Sequence, residues 1–208
     1  MAVLINLFLA VVGLRLGAGF ADNALADSLA NFSPMAALVI CAALYFPSAR
    51  SAFWVAFGAL LVTDVALNLQ WWAASDDVSL VSLFLGPSFL FRYAVYGLLF
   101  AVALGLRRRS KKGAAITLSL TLAGSFFFYL VTNTVAWATL PAYGPGLSSW
   151  FQALTVGLPG FPPTWVFFRN ALIGDLGFAL LFLASQRIPA VVRGPAILRS
   201  NESQIAQS

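Results

Sequence analysis

The sequence predicts an all-α membrane fold: one bundle of about six transmembrane helices. Three observations predict it. Of 208 residues, 61% are hydrophobic and 9% charged, against about 25% charged in ordinary soluble domains. The mean hydropathy is +0.88, more apolar surface than a soluble fold of this length can hide, whereas lipid removes the need to hide it. The apolar residues come in continuous runs and not in alternation, which excludes a transmembrane β-barrel. Residues 1–186 read as one transmembrane domain and residues 187–208 as a flexible cytoplasmic tail.

The first apolar run is 1–20, interrupted by Asn6 and Arg15. The second, 34–46, is short and ends at Pro47; at ~1.5 Å per residue it covers only about 20 Å of a ~30 Å hydrocarbon core. Either it begins earlier, near Leu29, or it is a short helix supported by neighbours. Ser33 reads as its N-cap, with Pro34 at the first helical position. The third run, about 52–74, contains Asp64, and the fourth, about 80–106, contains Arg92. The fifth is about 114–138. The sixth starts at the Pro162-Pro163-Thr164 turn and ends near Gln186. Between the last two, 139–161 is uncharged and broken by Gly and Pro, which suits an ordered outer loop with a short interfacial helix around 148–155.

Charge orients the bundle. Arg50 follows the second run, Arg107, Arg108, Arg109, Lys111 and Lys112 follow the fourth, and Arg187, Arg193 and Arg199 follow the sixth. Asp22, Asp27, Asp76 and Asp77 occupy the opposite loops. By the positive-inside rule both termini are cytoplasmic. The net charge of +5 is therefore a topology signal and not a nucleic-acid footprint. Trp71, Trp72, Trp137, Trp150 and Trp165 gather at the outer interface in this frame. A competing reading treats residues 1–26 as a signal peptide with an A-x-A cleavage site at 24–26; against it, the first residues carry no positive charge and Arg15 interrupts the apolar run.

Five ionisable residues fall inside spans: Arg15, Asp64, Arg92, Arg169 and Asp175. Each costs about 2.5–3.5 kcal/mol at mid-membrane on insertion scales, so they are expected to face the bundle interior and find partners. They either lock helix packing as ion pairs or wall a polar pocket, and the two roles overlap. Arg92 is expected beside at least one of the aspartates, and each aspartate needs a cation or a proton. The polar set lies in the outer half of the spans, which suits a site opening outward. With Asn31, Asn133 and Asn170, these residues form the candidate ligand set, whose embedded charges sum to +1 and favour an anionic group. The aromatic loop with Tyr143, Trp150, Phe151, Phe161 and Trp165 forms either a lid or an interfacial belt. Gly13-x-x-x-Gly17 and Ala37-x-x-x-Cys41 are small-residue pairs that permit close helix approach. Cys41 reads as a small packed hydrophobe.

No catalytic signature occurs: no Walker A, no G-x-S-x-G, no H-E-x-x-H and no cysteine cluster. The chain has one cysteine and no histidine. Neither an enzyme, a cofactor nor a metal is expected. Without an ATP site, the chain cannot power transport by hydrolysis alone.

Four segments carry a resemblance: 31–38 (NFSPMAAL) with Thr63-Asp64, 127–137 (FFYLVTNTVAW), 150–160 (WFQALTVGLPG) and 167–176 (FFRNALIGDL). Together, over about 13–183, they resemble a bacterial family of membrane proteins whose domain has no assigned function. That family in turn looks like the S components of energy-coupling-factor vitamin transporters. The resemblance implies an inner-membrane protein with six helices, an outward-facing pocket for a small molecule, and an ATP-driven energising module or other membrane subunit as partner. The A-x-x-x-A contact motif of such helices is not seen on the first run.

Overall fold

The computed structural model describes residues 9, 11–13, 15–17, 33–76, 78–109 and 113–186. Asn31, the 24–26 cleavage motif, Asp22, Asp27, Asp77, Lys111, Lys112 and the 187–208 tail lie outside the described residues. The described part of the first run is helical and forms an amino-terminal segment. It is followed by α1 (Met35–Tyr45), α2 (Ala49–Ala74), α3 (Leu80–Leu85), α4 (Pro87–Arg109), α5 (Ala114–Thr139), α6 (Leu147–Leu154) and α7 (Thr164–Ser185).

Four stretches are long and apolar enough to cross a membrane: α2, α3 with α4, α5 and α7. The expected count of about six is not reached among the described residues. One reason is α1, which is 11 residues long and spans only about 16 Å. It survives as a helix because its neighbours bury all of it but Tyr45, which is half-buried. Met35 through Leu44 are all buried, and α1 packs against α2, α4, α5 and α7 together. The outer helices turn large side chains outward: Leu61, Val62, Leu98, Leu122, Phe126, Leu180 and Leu181 are exposed. This is the pattern of helices facing lipid.

Small residues set the spacing. Ala52, Ala56 and Ala59 form one buried face of α2, and α2 packs on α1. On α5, a Cβ added at Gly124 would stand 3.1 Å from Ile40 Cδ1, so hydrogen is what lets these helices approach. Ala37 and Cys41 are both buried in α1. The Gly13 and Gly17 pair does not act in this way: no described atom lies within 4 Å of where a Cβ would stand at either.

The fourth run is two helices, not the continuous one its hydropathy predicts. Ser79 caps α3 by accepting from the Ser82 amide at 3.1 Å. Gly86 closes it by donating to the Ser82 carbonyl at 3.0 Å, and Pro87 then restarts the chain as α4. A proline has no N–H to continue the ladder and crowds the preceding turn. The short helix expected around 148–155 is found as α6, tied to α5 by two indoles: Trp137 Nε1 donates to Ser149 Oγ and Trp150 Nε1 to Thr134 Oγ1, each at 3.0 Å.

Both ends of α1 are closed by side chains of other helices. Its own cap fails: Pro34 stands at the N-cap and no side-chain cap bond forms. The Ser33 hydroxyl is buried without a partner, so the expected Ser33 cap is incorrect. Instead Asp175 of α7 accepts from the Ala37 amide at 2.9 Å. At the other end, Arg107 of α4 donates to the carbonyls of Ala43 at 3.4 Å and Pro47 at 3.0 Å. An anion at the N-terminus and a cation at the C-terminus match the helix dipole.

Candidate functional site

The clearest site is a cavity of about 270 Å³. It lies between α1, α4, α5, α7 and the amino-terminal segment. On α5, Ser125, Phe128, Tyr129, Thr132 and Asn133 line it, a single stripe at helical spacing. Ser88, Phe91, Arg92 and Tyr96 face it from α4 and Phe167, Phe168, Ala171 and Asp175 from α7, with Ser33 and Ala36 at the start of α1. Arg15 enters from the amino-terminal segment.

Asp64 stands behind one wall. It is 1% exposed, and Arg15 Nη2 donates to its Oδ1 at 2.5 Å while Arg92 Nη1 donates to the same oxygen at 3.2 Å. Arg15 also donates through Nη1 to the Thr63 hydroxyl and, at 3.5 Å, to the Leu60 carbonyl. Thr63 passes its own proton back to the α2 backbone, with the Ala59 carbonyl at 2.8 Å. The cluster therefore joins α2, α4 and the amino-terminal segment with two cations on one anion. The Tyr93 hydroxyl is buried beside Asp64, yet neither it nor Asp64 Oδ2 completes a well-aligned hydrogen bond. The expected Arg92–aspartate contact is present; Arg15 is the closer partner.

Of the cation or proton expected for Asp175, the cation is not found: among the described residues no arginine bonds it. Its Oδ2 accepts from the Ser125 hydroxyl at 2.6 Å and its Oδ1 from the Ala37 amide at 2.9 Å. The amino end of α1 turns its amides, the positive end of the helix dipole, toward this carboxyl. The one Ser125 hydroxyl proton has a second acceptor within reach, the Thr121 carbonyl at 2.9 Å, and Thr121 donates back to the Thr117 carbonyl at 2.8 Å.

Of the candidate set, Arg15, Arg92, Asn133 and Asp175 line the cavity, and Asp64 supports it through both arginines. Arg169 and Asn170 do not line it. Arg169 is exposed, lies 5.4 Å from the Trp165 ring centroid and donates to Asn170 Oδ1 at 3.1 and 3.2 Å. It sits one turn into α7, close enough to the end for its long side chain to reach the interface. The aromatic loop is not a lid: none of Tyr143, Trp150, Phe151, Phe161 and Trp165 lines the cavity, and Phe151, Phe161 and Trp165 are exposed. They form the belt. Ser33, Ser88, Ser125, Thr132 and the aromatic walls were missed by charge counting. For Ser125, Phe128, Tyr129 and Thr132, the mixed polar and aromatic stripe on α5 is the sequence signal that marks them.

A family model described as a family of unknown function (DUF6580) matches residues 1–193. The chain belongs to that family. The match takes in every residue of the cavity and agrees with the uncharacterised family that the resemblance implied. No curated protein and no solved structure matches the chain. The further likeness of this DUF6580 chain to S components is shown by neither comparison.

Proposed function

We propose that this protein is an integral protein of the bacterial inner membrane that binds or transports a small molecule in an outward-facing pocket, in the manner of an S component. The observation that carries the reading is the cavity in which Arg15, Arg92, Asn133 and Asp175 converge among aromatic walls. A few polar groups in an apolar concavity are the usual anatomy of a ligand site. At about 270 Å³ it lies just under the ~300–1,000 Å³ of drug-sized pockets, which favours a small metabolite. Orientation follows from α4: Ser88 and Arg92 face the cavity near its start, and Arg107 and Arg108 mark its far end. With the basic end and both termini in the cytoplasm, the cavity opens outward. Uphill transport then needs an ATP-driven partner.

A second reading is a structural or assembly subunit. It is favoured by the Arg15–Asp64–Arg92 cluster, whose ion pairs form without any ligand. Native mass spectrometry after mild detergent extraction separates the two. A co-purified metabolite supports the first; a stoichiometric protein partner with no metabolite supports the second. A reporter active only outside the cytoplasm should be active when fused within 142–147 and silent when fused at the carboxyl terminus. Activity at the carboxyl terminus would invert the proposed orientation.

A further inference from the structure

The two arginines on Asp64 are not equivalent. Arg15 has an 11% exposed side chain, and its two terminal nitrogens are committed to Asp64, Thr63 and Leu60. Arg92 is 26% exposed and lines the cavity. It gives Asp64 one bond, from Nη1 at 3.2 Å. A guanidinium carries five N–H donors, so most of those on Arg92 remain unused among the described residues. Two cations on one carboxylate also leave the cluster one positive charge in excess.

The rest of the cavity restricts what that charge receives. Tyr96 stacks on Phe128 with centroids 4.8 Å apart and planes at 19°, and Tyr129 lies against Phe168 at 4.6 Å and 31°. All four rings line the cavity. Asp175 also lines the cavity, but its oxygens are already engaged by Ser125 and the Ala37 amide, and it offers no cation to a ligand.

Building on the reading of the cavity as a ligand site, we infer that Arg92 is its specificity-determining residue, and that the ligand is a monoanion whose carboxylate docks on the Arg92 guanidinium while a flat apolar body lies against the aromatic walls. A carboxylate matches the guanidinium fork in two parallel bonds, which a neutral amide does not. Arg92→Gln leaves Asp64 paired with Arg15 and is the variant of choice.

The test uses the full chain in detergent and three probes of one shape: benzoate, benzamide and benzylammonium. Thermal melts are recorded with each at matched millimolar concentrations, for wild type and Arg92→Gln. Benzoate should stabilise wild type with an apparent affinity at least about tenfold above benzamide, a margin of one charge-assisted contact. Arg92→Gln should erase that margin. If Arg92→Gln does not fold, Arg92→Lys takes its place: it keeps the charge, loses the fork and should narrow the margin. Preference for benzylammonium, equal response to benzoate and benzamide, or a margin that survives Arg92→Gln each overturns the assignment. A panel silent with all three also overturns it. Ligand binding itself falls only if mass spectrometry also finds no co-purified small molecule.

Discussion

Asp64 and Asp175 are both buried carboxylates, 1% and 2% exposed, and the fold compensates them by different means. Asp64 is met by two side-chain cations. Asp175 is met by a backbone amide at the start of α1 and by a hydroxyl. The difference is what each position requires. Site 64 requires a full negative charge, because two arginines depend on it. Site 175 requires acceptors in a fixed geometry, because its donors are neutral dipoles.

The largest effect should therefore come from Asp64→Asn. It keeps the shape and strands Arg15 and Arg92, and removal of one side of a buried pair costs about 3–5 kcal/mol. A melt in detergent within about 1 kcal/mol of wild type would show that the arginines face water. At 175 the same substitution should be mild, about 1 kcal/mol, since an amide oxygen still accepts from Ala37 and the Ser125 hydroxyl can turn to accept. Asp175→Leu should cost more, about 2–3 kcal/mol, by leaving buried amides of α1 unbonded. If Asn and Leu at 175 are equally harmful, the charge matters there after all and the contrast collapses.

The two arginines sharpen the same comparison. Arg15→Gln removes the closer contact to Asp64 and the bond to Thr63, and should cost about 2–3 kcal/mol; Arg92→Gln should cost about 1 kcal/mol. Reversal of that order by thermal melt would make Arg92 the structural partner and Arg15 the one free for other work. The smallest effect should be Ser33→Ala. Its hydroxyl is buried without a partner, so the ligand-free protein should melt within about 0.5 kcal/mol of wild type. A loss near 1 kcal/mol would restore Ser33 as the cap of α1.

Much of this was legible in the sequence where side-chain charge or backbone punctuation speaks. An aspartate and an arginine in adjacent apolar runs demanded each other, and Arg92 does reach Asp64. The shortness of 34–46 left two readings, an earlier start near Leu29 or a short helix supported by neighbours, and α1 is the second. The Pro162-Pro163-Thr164 turn marked the start of α7. What stayed hidden involves groups that every residue shares. The partner of Asp175 is a main-chain amide, and no count of cations finds an amide. Gly86-Pro87 stood inside an unbroken hydropathic run, so hydropathy alone merged α3 with α4. Arg169 was placed in the pocket by its position in the sixth run, but a long side chain one turn from a helix end has the reach to leave it. The hydroxyls of Ser125 and Thr132 attract no notice in a transmembrane helix, where bonding back to the preceding turn satisfies them.

The double closure of α1 has a consequence for biosynthesis. A ribosome releases residues 35–45 long before Arg107, and Arg107 long before Asp175. Until then the nascent α1 has open amides at one end, open carbonyls at the other, and a length that bridges about half of a bilayer. It is too short to rest alone in lipid and too apolar to rest in water. This early helix is thus finished late, and it waits for a carboxylate made some 130 residues later, an interval of roughly ten seconds at translation rates of about 5–20 residues per second.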